Sequence, residues 1–203
     1  RGHQPYFGQV GRSKMETKNI MIVGVGGQVT LLASRILGGI TKNAGYDVKI
    51  SEVDGMAQRG GSVVTYVRYG DHVAEPIVEE GHADVLIAFE RLEALRYAHF
   101  LKKDGVLIVN DQRMDPMPVA VGMAAYPEHI IEDLKEKYCV VSVDAKALAV
   151  QIGNARVFNT VIIGVAAKRM DFAKEDWIRV IEETVPPKTV EINTKAFEAG
   201  YQL

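Results

Sequence analysis

The stretch Asn19-Ile20-Met21-Ile22-Val23-Gly24-Val25-Gly26-Gly27-Gln28 joins an apolar run of strand length directly to a glycine-rich turn. Thr30 to Ile40 follows, with Leu32, Ile36 and Ile40 four apart, the spacing that stacks apolar side chains on one helix face. Strand, glycine turn and helix in that order put a helix N-terminus at the carboxyl edge of a parallel sheet. Backbone N–H groups point outward there, and the helix dipole favours negative charge. In open α/β sheets that edge is where ligands bind. The same glycines also serve a plain tight turn, and the turn alone does not separate the two readings.

Beyond the helix, Gly45 is a C-terminal stop, and Tyr46 to Val53 alternates as a second strand. Glu52 or Asp54 stands where a nicotinamide-binding domain carries its acidic ribose ligand, about 20 residues past the turn. The third glycine of that fingerprint is replaced by Val29, whose isopropyl group predicts a helix pushed away from the strand. A stand-alone NAD(P)-dependent oxidoreductase using Gly24, Gly26 and Glu52 is thus a competing reading, weakened at one of its key positions. Next comes Asp54-Gly55-Met56-Ala57-Gln58-Arg59-Gly60-Gly61-Ser62, small, polar and glycine-rich around Gln58 and Arg59. If the sheet is parallel, this loop leaves from the same edge as the first turn, and together they make a cradle for phosphate or carboxylate. Equally, the loop packs on a partner subunit with Arg59 in a structural ion pair.

Val63 to Tyr69 is β-branched and aromatic, hence a strand. No helix precedes it, so it is expected antiparallel or at an edge. Asp84 to Phe89, a helix over Glu90 to Tyr97, a turn at Lys102 to Gly105 and a strand over Val106 to Asn110 form one strand–helix–strand unit, which favours a parallel sheet. Asp111 to Tyr126 is irregular, with Met117 to Val121 a short edge strand. A helix over Glu128 to Lys137 leads to a last strand, Val140 to Val143. Asp144 then caps a helix over Ala145 to Ile152, and helices starting at Asn159, near Phe172 and at Lys188 complete a helical C-terminal third. The fold class is α/β: a single domain with a Rossmann-like, mostly parallel sheet flanked by helices. Residues 1–14 lack periodicity and are read as an expression remnant, so the domain is expected over 15–203.

Composition narrows the function. The 203 residues are 47% hydrophobic and 25% charged with net charge −2, which gives no sign of nucleic-acid or membrane partners. No apolar run reaches the roughly 18 residues of a membrane span, and a cytoplasmic location is expected. The single cysteine, Cys139, lies in an apolar run and reads as a buried strand residue. One thiol cannot hold an iron–sulfur cluster, which needs about four. His72, His82, His99 and His129 are scattered without metal-ligand spacing, so no metal site is expected. Phosphate-loop and nucleophile-elbow motifs are missing, and no local cluster forms a self-sufficient catalytic centre.

The glycine turn, Ser51-Glu52-Val53 and Met56-Ala57-Gln58-Arg59-Gly60-Gly61-Ser62-Val63-Val64 together resemble the gamma-type domain of 2-oxoacid:ferredoxin oxidoreductases. Phe89-Glu90-x-Leu92-Glu93-Ala94, Val109-Asn110, Phe158-Asn159-Thr160 and Asn193-x-x-Ala196-Phe197 extend the likeness over nearly all of 18–203. Within that family the chain is most similar to the small subunits of the indolepyruvate enzymes; gamma subunits for pyruvate, 2-oxoisovalerate or 2-oxoglutarate are the alternatives. The resemblance implies anaerobic oxidative decarboxylation of a 2-oxoacid to acyl-CoA and carbon dioxide, with reduction of ferredoxin. It also implies that thiamine diphosphate, Mg2+ and [4Fe-4S] clusters reside on a large alpha subunit, that this chain alone binds no cofactor, and that CoA is co-substrate. Ferredoxin is then met through the complex, and a homodimer is open to the isolated chain. No catalytic residue is assigned to this chain. The loops expected at the substrate, CoA or partner site comprise Gly24, Gly26, Gly27, Gln28, Met56, Gln58, Arg59, Gly60 and Gly61, with Asn159 beside them. A pure assembly subunit with no ligand of its own is the remaining reading.

Overall fold

The computed structural model describes residues 15–54 and 61–203. The opening stretch forms β1 (Lys18–Val25) and α1 (Gly27–Asn43), followed by β2 (Asp47–Asp54), β3 (Ser62–Gly70), β4 (Ala83–Ala88), α2 (Arg91–Tyr97) and β5 (Leu101–Asn110). The chain continues through α3 (Met117–Ala120), α4 (Ile130–Lys137), β6 (Cys139–Val143), α5 (Ala145–Ile152), α6 (Phe158–Ala167), α7 (Lys174–Thr184) and α8 (Val190–Tyr201). The strands form one sheet in the order β2-β3-β1-β4-β5-β6. β1, β4, β5 and β6 pair in parallel, whereas β3 is antiparallel to both β1 and β2. Five strands therefore point one way, and β3 alone is reversed.

β1 reads as a continuous apolar run because both its faces are covered. Ile20 and Ile22 point into a core shared with α1, α6, α7 and α8, while Met21 and Val23 point into a second core with α2 and α4. β3 is buried in the same two-sided way, Val67 and Tyr69 on one face and Val64 and Tyr66 on the other. The antiparallel direction expected for β3 is present, but the strand is interior. The edge is β2, which exposes Ile50 and Val53.

Four local expectations are corrected. Lys102 to Gly105 is strand rather than turn, since β5 begins at Leu101. Met117 to Val121 is not an edge strand: Pro118, with φ already near the helical value, sits in the first turn of α3. α4 begins at Ile130, two residues later than expected, after His129 in the left-handed region at φ 59°. Cys139 is exposed rather than buried, because it opens β6, the other edge strand. Elsewhere the elements fall near their expected positions, and Asp144 caps α5 by accepting from the Ala147 N–H at 3.0 Å. Among the described residues no helix is long and apolar enough to cross a membrane.

The helical C-terminal third closes one face through glycine. A Cβ on Gly200 would overlap the carbonyl oxygen of Val161, and one on Gly164 that of Phe197, so α6 and α8 meet backbone to backbone. Trp177, Phe197 and Tyr201 stack beside this contact, with centroids 6.2 and 5.6 Å apart. Replacing Gly200 with Ala forces the helices apart, and urea unfolding should show a loss of about 3 kcal/mol. An unchanged midpoint would contradict the close approach.

Candidate functional site at the carboxyl edge of the sheet

The chain leaves β1 toward one side of the sheet and later enters β4 on the other. The crevice between the carboxyl ends of these two strands is the topological switch point, the usual ligand position of an open α/β sheet. Gly24 lies where α1 returns over β1, and a Cβ there would make ordinary contact with the Thr30 methyl at 3.4 Å and the Phe89 Cβ at 3.6 Å. Gly26 adopts φ 89° as the N-cap of α1, a conformation that suits glycine. Its N–H donates to the Gly61 carbonyl at 2.8 Å, and Val25 pairs with Ser62 in register. The two glycine-rich segments expected at one edge are thus bonded to each other at their roots.

α1 starts with no side-chain cap and no acidic residue in its first turn. An acid reaches this end from β2. The Glu52 carboxylate lies 3.5 Å from where a Gly27 Cβ would sit, so the protein itself brings an anion beside the N-terminal end of α1. Val29 follows Gln28 in the first turn of α1. It packs on the core and lines an apolar slot of about 170 Å³ together with Val25, Phe89, Gln112, Met114 and Phe158.

Beneath the edge runs a belt of buried carboxyl groups. Ser62, at the root of the second loop, donates to Glu93 Oε2 at 2.6 Å. The Glu93 N–H donates at 2.9 Å to Glu90 Oε1, the N-cap of α2. Glu90 Oε2 then accepts from the Met114 N–H at 3.1 Å and from the Tyr126 hydroxyl at 2.6 Å. Both glutamates are under 5% exposed. Asn110 extends the frame: its Nδ2 donates to the Phe89 carbonyl at 3.3 Å, and its Oδ1 accepts from the Ala145 N–H at 3.3 Å. Burial pushes the Glu93 carboxyl above the ordinary range, and Glu90 adds to this, while Ser62 and Arg96 pull the other way. Burial raises Tyr126 too, helped by its bond to Glu90.

Of the residues expected here, Gly24, Gly26, Gly27, Gln28 and Gly61 converge on this edge, with Gln28 exposed in the first turn of α1. Asn159 follows Phe158, which lines the slot, and its Oδ1 is buried with no hydrogen-bond partner among the described residues. Met56, Gln58, Arg59 and Gly60 lie outside the described residues. Ser62 ends the second loop expected at this edge, whereas Glu90, Glu93, Asn110 and Tyr126 are additions from the structure. Two acids directly after the apolar run of β4 were the available signal, since that junction faces the same crevice as the glycine turn.

The sequence from residue 19 to 203 matches the family described as pyruvate ferredoxin/flavodoxin oxidoreductase. The chain belongs to that family. The subunit named indolepyruvate oxidoreductase subunit IorB from Thermococcus kodakarensis is 42% identical over 194 residues, covering 92% of this chain and 95% of the relative. Its counterpart from Pyrococcus horikoshii is 43% identical over 192 residues with the same coverage. The gamma subunit of a keto/oxoacid ferredoxin oxidoreductase from Geobacter sulfurreducens has the same fold, with TM-score 0.68 at 24% identity over 91% of this chain and 96% of that one. A 2-oxoglutarate:ferredoxin oxidoreductase from Magnetococcus marinus gives TM-score 0.69 at 16% identity, covering 94% of this chain but only 31% of the other. There the fold is one part of a longer polypeptide.

The raised Glu93 gives a pH signature. The folded chain holds this proton to higher pH than the unfolded chain does. The resulting stability is fully present below the ordinary carboxyl range and falls as pH rises from there through the raised value. Glu93→Gln cannot ionise and keeps an acceptor for Ser62. The variant should gain on the wild type as pH rises across that window, measured by denaturant midpoints; a pH-independent difference would contradict an ionisable group held there.

Proposed function

We propose that this chain is the small subunit of an oxidoreductase that converts an aryl 2-oxoacid, indolepyruvate being the type, with CoA to the acyl-CoA and carbon dioxide while ferredoxin takes the electrons. The observation that carries this is the 42–43% identity to indolepyruvate oxidoreductase subunits across nearly the whole of both chains. More distant relatives named as common gamma subunits of pyruvate/ketoisovalerate oxidoreductases reach 26–27%. Thiamine diphosphate with Mg2+, and the [4Fe-4S] clusters, belong on a large partner subunit, where thiamine supplies the nucleophilic carbon and electron sink of decarboxylation. The residues of this chain fit that division. A single cysteine cannot ligate a cluster, and among the described residues no group of three His, Cys, Asp or Glu is placed to hold a metal ion.

In this reading the chain supplies a shaped backbone rim. Gly26, Gly27 and Gln28 present the first turn of α1 to the partner's reaction centre. The 55–60 loop, rooted at Gly61 and Ser62, brings Gln58 and Arg59 to the CoA or to the carboxylate of the oxoacid. The stand-alone NAD(P) reading has less support, because the reversed β3 stands between β1 and the strand that bears Glu52, unlike the strand order of dinucleotide-binding sheets.

The test is turnover by the complex reconstituted from this chain and its large subunit. Arg59→Ala should lower turnover by about tenfold or more through misplaced substrate, with the thermal midpoint of the small subunit unchanged. Unchanged kinetics would remove Arg59 from substrate positioning, and weakened association instead would assign the loop to assembly. Oxidation of a 2-oxoacid by the isolated chain would overturn the reading altogether.

A further inference from the structure

Between Asp115 and Tyr126 the chain carries no charged residue: Pro116-Met117-Pro118-Val119-Ala120-Val121-Gly122-Met123-Ala124-Ala125. A segment so apolar would ordinarily find the core, yet α3 buries none of its residues. Met117 and Val121 are each 58% exposed and Met123 84%. Scattered exposed apolar side chains are common, but a contiguous cluster marks an interaction surface.

The segment is held in this outward position by polar anchors at its neck. Glu90 Oε2 accepts from the Met114 N–H at one end and from the Tyr126 hydroxyl at the other, so one buried carboxylate closes the loop. Arg113 lies over the Tyr126 ring at 4.4 Å and bonds Asp115 at 2.6 Å. Inside the loop, the Val121 N–H donates to the Met117 carbonyl at 3.0 Å and the Met123 N–H to the Pro118 carbonyl at 2.8 Å. The ends are tied and the tip is internally bonded, the construction of a compact Ω-type loop. Its apolar side chains are presented at little further cost in ordering, which favours binding.

We infer that this loop is a preformed apolar anchor that seats in an apolar groove of the large subunit. The inference rests on the function proposed above. Its location supports that occupant: Met114 at the neck lines the slot with Val25 and Val29, so the anchor is continuous with the edge that faces the partner's chemistry. In the Magnetococcus marinus protein the same fold is 31% of one chain, so there it is covalently joined to further segments. Methionine suits the seat, since its unbranched, polarisable side chain fills irregular grooves.

The experiment measures association of the full chain with the purified thiamine-bearing large subunit. Met117→Glu combined with Met123→Glu should weaken the complex by at least about tenfold, the effect of removing central apolar anchors. Circular dichroism and the thermal midpoint of the variant should match the wild type, because neither side chain is buried. Tyr126→Phe, which unties the neck and leaves the tip intact, should weaken association less, through a slower on-rate. Unchanged affinity of the double variant, with wild-type chain binding normally, would overturn the anchor alone. A wild-type chain that dimerises by itself and becomes monomeric on the double substitution would give the loop to a second copy and overturn the large-subunit assignment. Failure of the wild-type chain to bind any thiamine-bearing subunit would overturn both the anchor and the proposed function.

Discussion

The reversed strand β3 is the constraint on which the carboxyl edge depends. By running antiparallel beside β1, it starts where β1 ends, and the pairing of Val25 with Ser62 puts the second glycine-rich loop at the root of the first. The Gly26 N–H to Gly61 carbonyl bond closes that junction, with both glycines at positive φ where a β-carbon would be strained. A parallel β3 would need a crossover and would begin at the opposite edge. β2 already delivers the second segment to this edge, and the reversed β3 returns its far end there beside β1, so the two segments become bonded neighbours.

The edge is stiffened from below by carboxyl groups rather than by apolar packing. Burying Glu90 and Glu93 costs free energy unless their oxygens find partners, and here Ser62, two backbone N–H groups and a tyrosine hydroxyl donate to three of the four, while Arg96 stands 3.5 Å from the fourth, Glu93 Oε1. The same bonds link three separate stretches of chain: the root of the hairpin between β2 and β3, the start of α2, and the apolar loop before α4. A buried polar network of this kind specifies one arrangement, because slippage would strand a desolvated oxygen. Asn110 does similar work between β4, β5 and α5.

On the function proposed above, the chemistry this chain contributes is positional. Its edge offers backbone dipoles, an apolar slot and a rigid loop, but the described residues form no nucleophile–base pair at the edge, and the Ser62 hydroxyl is committed to a buried carboxyl. The same fold occurs both as a separate subunit and within a longer polypeptide. A fold that supplies surfaces rather than reactive atoms can be cut from its neighbours or fused to them, provided the edge keeps its shape.

The local order of elements was legible from residue pattern. β1 and α1 show in the apolar run, the glycines and the four-residue spacing of Leu32, Ile36 and Ile40; the parallel pair of β4 and β5 shows in the strand–helix–strand unit. Asp144 announced the start of α5 by its residue type. These signals are short-range: turn chemistry, capping and periodicity act within a few residues. The interior place of β3 and the exposure of Cys139 were not legible, because each depends on which strands become neighbours or edges; the helical turn at Met117 was missed because Pro118 suits a helix start as well as an edge strand. The meeting of Ser62 with Glu93, 31 residues apart, and of Glu90 with Tyr126, 36 apart, is likewise a product of strand order. Residue chemistry alone settled most of the strands and helices, though not the strand at Lys102 or the helical turn at Met117, and that this chain lacks the thiols for a cluster; folding in three dimensions settled which elements share an edge, since burial and pairing are properties of neighbours distant along the chain.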